Sequence, residues 1–400
     1  MYKLIEAGME TFDVVLNLNG KDVLVGYLGT AKERKLVVNF QYDPTFLAGK
    51  NFFNISPELY ETPVIQYPNP KKIFGFMEDS MPDRWGKALI KRKLGRAIDD
   101  LDALLEIDDF ARMGALRFYN ESGPLSQNSN IPTFKNIREL QSLVSKADDL
   151  TADLTELFDP GSPLGGARPK AGIMDRGVLK MAKFPKNDDG YNVEAWEKTM
   201  LDLASQLDIN VPKSEILYTP LSKFGVLILE RFDRRNGHRQ PYMSAMTALQ
   251  ASDNEDTSSY LDIVEFISQH GEIEDAQELW KRLVFGMLTN NYDDHLRNHG
   301  FLRGETSWRL SPAFDINPST DTDHHQLSID GDSHDPNIDL ALSLAGNFYL
   351  NIDGANAWLS KALTLLTTQL EATAKRHGIL VSEITAISRQ LNYKNLGSTS

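Results

Sequence analysis

Between Glu274 and Thr289 two adjoining rows of apolar side chains repeat at every fourth position, Leu279/Leu283/Met287 and Trp280/Val284/Leu288. A face that broad cannot be left in water, so the segment predicts a helix buried against a large core. Further helices are expected over Met243–Ala251, Tyr260–Gln269 and Ala355–His377. One more lies upstream, Val193–Leu207, where Trp196, Met200, Ala204 and Leu207 hold helical spacing before Asn210-Val211-Pro212 stops it.

Ahead of residue 235 the pattern is different. Thr11–Leu18 and Val23–Leu28 flank Asn19-Gly20, a strong hairpin signal. Lys35–Tyr42, Lys72–Phe76, Ala171–Met174, Val178–Phe184 and Val226–Leu229 read as further strands. Ser80-Met81-Pro82-Asp83 opens a helix, and Tyr119–Thr133, rich in Ser, Asn, Pro and Gly, reads as a linker. The expectation is an α+β chain in three parts. Residues 1–124 form a β-rich amino-terminal subdomain, 125–235 a small mixed lobe, and 236–400 a mostly helical lobe.

Composition removes several chemistries. The 400 residues include no cysteine, which excludes disulfides, thiolate zinc sites and cysteine nucleophiles. No run reaches the roughly 18 apolar residues of a membrane span, and Met1–Asp13 carries three acids where a signal peptide would be apolar. A cytoplasmic protein is expected. The formal charge of −14 disfavours naked nucleic acid as the main ligand. The local basic group Lys91, Arg92, Lys93 and Arg96 reads as a solvated helix face.

The chemistry concentrates after the central helix, in Asn290-Asn291-Tyr292-Asp293-Asp294-His295-Leu296-Arg297-Asn298. Asp293 and Asn298 have the spacing D-x-x-x-x-N. Kinase catalytic loops use it because an Asp must accept the hydroxyl proton while an Asn reaches the metal. Ser311-Pro312-Ala313-Phe314-Asp315 then supplies a second carboxylate, and Asn298 with Asp315 offers Mg²⁺ the oxygen ligands it needs. By spacing alone, a capped surface loop explains the same residues. Lys183 ends a strand candidate and Glu197 follows on the next helix, as in the phosphate-positioning ion pair of kinases; Glu194, a turn earlier, is an alternative partner. Leu164-Gly165-Gly166-Ala167-Arg168-Pro169-Lys170 lets backbone N–H groups approach a phosphate, although a simple turn has the same composition.

Histidine chemistry competes. His295 and His299 have the spacing of a helical zinc motif, but Leu296 stands where its general base would be. Asp321, Asp323, His324, His325, Asp330, Asp332, His334 and Asp335 leave a metal-dependent hydrolase open, with a polar surface loop as the plainer reading.

In chain order the pieces are a glycine loop, a strand Lys, a helix Glu, a strand leading to an acid, a catalytic-loop Asp and Asn, and a metal Asp. That is the kinase order. LGGARPK, MAKFPK, LERFDRR, NYDDHLRNHGF and LSPAFDINP together resemble the HipA-type serine/threonine kinases of bacterial toxin–antitoxin systems. VGYLG and FMEDSMPDRWG extend the likeness into the amino-terminal part.

The resemblance implies a two-lobed protein-kinase-like fold using ATP and Mg²⁺. Asp293 would be the general base, with His295 near the phosphates, Asn298 and Asp315 on the metal, and Lys183, partnered by Glu197, on the α/β-phosphates. Glu230, Arg231 and Phe232 would form the adenine hinge, Asp233 would reach the ribose, and Gly165, Gly166, Ala167 and Arg168 would cover the triphosphate. It also implies an aminoacyl-tRNA synthetase as substrate, a small HipB-like helix-turn-helix antitoxin as partner, and DNA contact only through that partner. A catalytically silent nucleotide-binding co-repressor would carry the same motifs. Family members autophosphorylate a serine directly before the position of Leu164; here that place is Pro163, and Ser162, one residue further out, is the candidate.

Overall fold

The computed structural model describes residues 8–32, 35–69, 71–126, 132–148, 168–252, 257–320 and 322–396. They form two compact units, Met1–Ala182 with Asp233–Ser252, and Lys183–Phe232 with Asp253–Ser400.

The first unit is built on a five-stranded antiparallel sheet. In chain order its strands are β1 (Glu10–Leu18), β2 (Lys21–Lys32), β3 (Leu36–Tyr42), β4 (Leu116–Asn120) and β5 (Gly123–Pro124), arranged β3-β2-β1-β4-β5. The expected hairpin forms, with Leu18 opposite Lys21. Asn19 and Gly20 both take positive φ, +49° and +79°, as a two-residue turn matched to strand twist requires. Phe12, Val14, Leu16, Leu28 and Phe40 line the buried face, and Phe40 meets Phe74 and Phe76 edge-on.

Three expectations fail in this unit. Lys72–Phe76 is not a strand; Gly75–Ser80 is helical, with Phe74, Phe76 and Met77 all buried. A short apolar run has no decisive period, and the choice is made by packing: a Cβ on Gly75 would lie 2.5 Å from the Thr247 side chain. Tyr119–Thr133 does not begin as a linker, because Tyr119 and Asn120 belong to β4 and pair with Pro124 and Gly123. The strands β6 (Lys170–Asp175) and β7 (Val178–Lys183) are neighbours in a second sheet, as their apolar content predicts. Tyr242–Ser244 is extended, and only Ala245–Ala248 of the expected helix Met243–Ala251 is helical.

The second unit is mainly helical. Helices span Val193–Gln206, Tyr260–His270, Ile273–Thr289, Ile352–Arg376 and Val381–Ser388, and two antiparallel strands, β8 (Ser214–Leu217) and β9 (Val226–Glu230), pair in the same unit. Trp280 of the central helix is fully buried, meets Trp358 edge-on at 5.7 Å and donates its indole proton to Ala341 O at 2.7 Å. Asn290 ends that helix in the left-handed conformation, φ +57°, and its side chain bonds Gln390 O and Asn392 N. The loop after it therefore starts from a fixed point.

Candidate active site

Within the second unit, three charged residues from three separate stretches meet. Lys183, at the end of β7, places Nζ 2.7 and 2.8 Å from the two Glu197 carboxylate oxygens and 2.9 Å from Asp315 Oδ1. The Asp315 N–H donates to Glu197 Oε1 at 3.1 Å, closing the triangle. Glu197, not Glu194, is thus the partner of Lys183. Burial works against the Lys183 charge, but the Asp315 and Glu197 carboxylates more than offset it and hold the ammonium above its ordinary value.

Asp315 sits in the left-handed region, φ +59°, where side chains carry strain that the surroundings must hold. Part of that hold comes from Phe314, whose ring lies 5.4 Å from that of Phe232, the hinge candidate after β9. Glu230 is half-buried and its backbone N–H donates to Lys213 O, while Arg231 is buried.

The loop after the central helix delivers the second set. Asp293 is exposed; Leu296–Asn298 forms a single 3₁₀ turn, closed by the Asn298 N–H on His295 O at 2.8 Å. Asn298 Nδ2 donates to Asp293 O at 2.9 Å, while Asn298 Oδ1 is buried with no hydrogen-bond partner. Partial desolvation pushes the Asp293 carboxyl up, against His295, and the Asp315 and Asp294 carboxylates push it further. Asp293 therefore lies within electrostatic reach of Asp315. Asn298 also lines one crevice with Phe314 and Ile316, the two neighbours of Asp315. Buried acceptors are rarely left unpaired, and an orphaned amide oxygen beside an excess of carboxylate suits a hard divalent cation.

Sequence reasoning missed Asn291. Its Oδ1 accepts the Asn317 N–H at 3.1 Å and so ties the catalytic-loop segment to the segment carrying Asp315. The Asn-Asn doublet at the helix end was its only trace.

Other expected positions go elsewhere. Asp233 belongs to the first unit, is fully buried, and accepts from Gly114 N–H at 2.7 Å and Arg234 Nη1 at 2.6 Å. Its carboxylate is committed to holding that backbone. His295 and His299 do not form a zinc pair, since His299 Nε2 lies 3.1 Å from Asp294 Oδ1. Among the described residues, which leave out Asp321 of the His/Asp-rich stretch, no three His, Cys, Asp or Glu side chains converge as a metal site. Ser162, Gly165, Gly166 and Ala167 lie outside the described residues; Arg168 is half-buried just beyond them. Lys93, in the last turn of its helix, pairs with Glu106, whereas Arg96 lies beyond the helix end at Leu94 and pairs with Asp102. No described helix is long and apolar enough to cross a membrane.

Comparison with known proteins identifies the family. The HipA-like C-terminal domain matches residues 162–385, and the HipA N-terminal domain matches residues 16–119. The chain belongs to the HipA family of serine/threonine kinases. It is similar to the serine/threonine-protein kinase toxin HipA of Shewanella oneidensis, 23% identical over 370 residues, which is 83% of this chain and 81% of the relative. A putative kinase of Haemophilus influenzae is 29% identical over 135 residues, 30% of this chain and 39% of that protein's length. The solved Shewanella oneidensis HipA, in complex with HipB and operator DNA, superposes with a TM-score of 0.70 at 18% identity, covering 96% of this chain and 95% of that one. The fold is α+β and kinase-like.

Proposed function

We propose that this HipA-type kinase transfers the terminal phosphoryl group of Mg²⁺-bound ATP to a serine or threonine of a protein. The observation that carries the reading is the convergence of Lys183, Glu197 and Asp315. A cation clasped by one carboxylate of its own and one of the metal segment is poised to pass to a phosphate when nucleotide arrives. Bound Mg²⁺ would neutralise developing charge on the transferred group, with Asn298 and Asp315 as its protein ligands. Asp293, exposed and raised towards neutrality, would accept the hydroxyl proton, and His295 beside it would face the phosphates. Glu230, Arg231 and Phe232 would meet the adenine and Gly165, Gly166, Ala167 and Arg168 the phosphates. On this reading residues 125–235 handle nucleotide and 236–400 carry the chemistry.

We extend the reading to partners. The Shewanella relative is solved with HipB and operator DNA, which supports a HipB-like antitoxin here and DNA contact through it. An aminoacyl-tRNA synthetase as substrate, and a cytoplasmic site of action, follow from family resemblance. The test is incubation with labelled ATP, Mg²⁺ and a panel of purified aminoacyl-tRNA synthetases. Asp293→Asn should slow transfer by roughly 10²–10⁴ while nucleotide binding persists. Undiminished transfer in that variant removes Asp293 from the chemistry, and nucleotide binding without any transfer by the wild type favours a silent co-repressor. Mass spectrometry of the same reaction would find phosphate on Ser162 if the loop is self-modified.

A further inference from the structure

The carboxylate next in the chain to Asp293 faces the other way. Asp293 is exposed, whereas Asp294 is 6% exposed and is held beneath the loop. Tyr260, first residue of its helix, donates its hydroxyl proton to the Asp294 carboxylate. On the other side His299 Nε2 lies 3.1 Å from Asp294 Oδ1, and the His299 and Tyr260 rings meet edge to face at 5.5 Å. The backbone is tied as well: Tyr292 O accepts from Gln326 N–H at 2.9 Å, and Asp294 O from Leu327 N–H at 3.0 Å.

These contacts grip the loop at both ends. Asp294 follows Asp293 directly and His299 follows Asn298 directly. Between the two held positions the chain has room for only the one 3₁₀ turn. The Asn298 side chain is then set by two things, its bond to Asp293 O and the locked residue after it. Burying a carboxylate is costly even when it is well partnered, and an apolar residue of similar size would stabilise the fold as well. What an apolar residue could not do is accept the Tyr260 hydroxyl proton and set a carboxylate oxygen 3.1 Å from the His299 ring.

We propose that Asp294 is a positioning residue for phosphoryl transfer, anchored by Tyr260 and His299 so that the Asp293 carboxylate and the Asn298 side-chain oxygen are presented in fixed register. The inference rests on the kinase reading above. It assigns a task to the second Asp of the doublet, which the D-x-x-x-x-N spacing leaves unused.

The experiment uses the full chain and two variants, Asp294→Asn, which keeps the shape and removes the charge, and Tyr260→Phe, which removes one hydroxyl. ADP release is followed with Mg²⁺-ATP and the synthetase panel, alongside amide hydrogen exchange. Asp294→Asn should lower kcat about 10²-fold, the usual consequence of a misplacement near 1 Å, with KM for ATP within about two-fold of wild type. Exchange should quicken at residues 294–299 and stay unchanged in the helix Ile352–Arg376. Tyr260→Phe should give a smaller loss, about 10-fold, with the same pattern. Wild-type kcat in Asp294→Asn overturns the proposal, and so does a fall in kcat that accompanies faster exchange throughout the second unit. If Asp294→Asn does not fold, Tyr260→Phe decides by the same criteria. A wild type that releases no ADP counts against the kinase reading instead; the anchor is then judged by exchange alone, and unchanged rates at 294–299 in the variants overturn it.

Discussion

Arg112 in the first unit and Lys183 in the second are both buried cations, but they keep different company. Arg112 is fully buried and gives its guanidinium protons to three backbone carbonyls, Ser80 O and Leu104 O at 2.9 Å and Ile107 O at 3.4 Å. Burial pushes its pKa down to about 10, so it stays charged at neutral pH. Lys183 is surrounded by two carboxylates, one more than it needs. Around Arg112 carbonyls solvate the cation, and the charges of Asp109 and Asp108 are set against those of Arg239 and Arg117, which is glue. An excess of carboxylate leaves net negative charge in a desolvated place, which invites a second cation. His325 completes the series. It is fully buried, neither ring nitrogen has a hydrogen-bond partner, and burial pushes its pKa down to about 4. With no partner the ring simply stays neutral.

The comparison breaks most visibly at Lys183. Lys183→Met leaves Glu197 and Asp315 facing each other without their cation, and phosphoryl transfer should fall by about 10³ in the labelled-ATP assay. If transfer survives, the excess of carboxylate has no catalytic meaning. Arg112→Met should do the reverse. Three carbonyls lose their donors, so unfolding free energy should drop by about 3 kcal/mol in urea titration, while turnover per folded molecule is retained.

His325 sharpens the same logic through pH. The folded state keeps the ring neutral, whereas the unfolded chain protonates it below about pH 6.5, so the unfolded state binds more protons. Its contribution is therefore intact above about pH 6.5 and is lost as pH falls towards about 4. The loss should reach roughly 3 kcal/mol. His325→Leu should flatten the stability profile in that window, and an unchanged profile would show that the ring is not held neutral. The smallest effect belongs to the exposed helix: Lys93→Ala, breaking the 3.0 Å pair with Glu106, should change stability by no more than about 1 kcal/mol, less at high salt.

Local signals read well wherever the chain had only one use for them. Asn19-Gly20 makes the hairpin because both positions need positive φ. The rows on Ile273–Thr289 make a buried helix because no other face is available. Lys72–Phe76 was misread because a few apolar residues in a row suit either period, and only the approach of Thr247 to Gly75 chooses between them. The short helix Ala245–Ala248 is curtailed for a related reason: Asp79 binds Ser244, holding the preceding residues extended.

The candidate site divides along the same line. Lys183 and Glu197 stand 14 residues apart on a strand and the next helix, so their pairing was open to inference from spacing. The grip of Lys183 on Asp315 spans 132 residues, and the knot of Asn291 with Asn317 joins two loops whose residue types are common anywhere. Asp233 shows the opposite failure, a residue in a suggestive position whose carboxylate is already occupied by Gly114 and Arg234.

The linear order of residue types therefore settled the α+β class, the placement of most long elements and the inventory of groups able to handle a phosphate. Those follow from periodicity and turn chemistry, which act over a few neighbours. Which acid pairs with which base, which carboxylate faces outward, and which histidine is left unpaired were decided only on folding. Burial strengthens or extinguishes a charge according to what surrounds it, and those surroundings come from parts of the chain that are far apart until it folds.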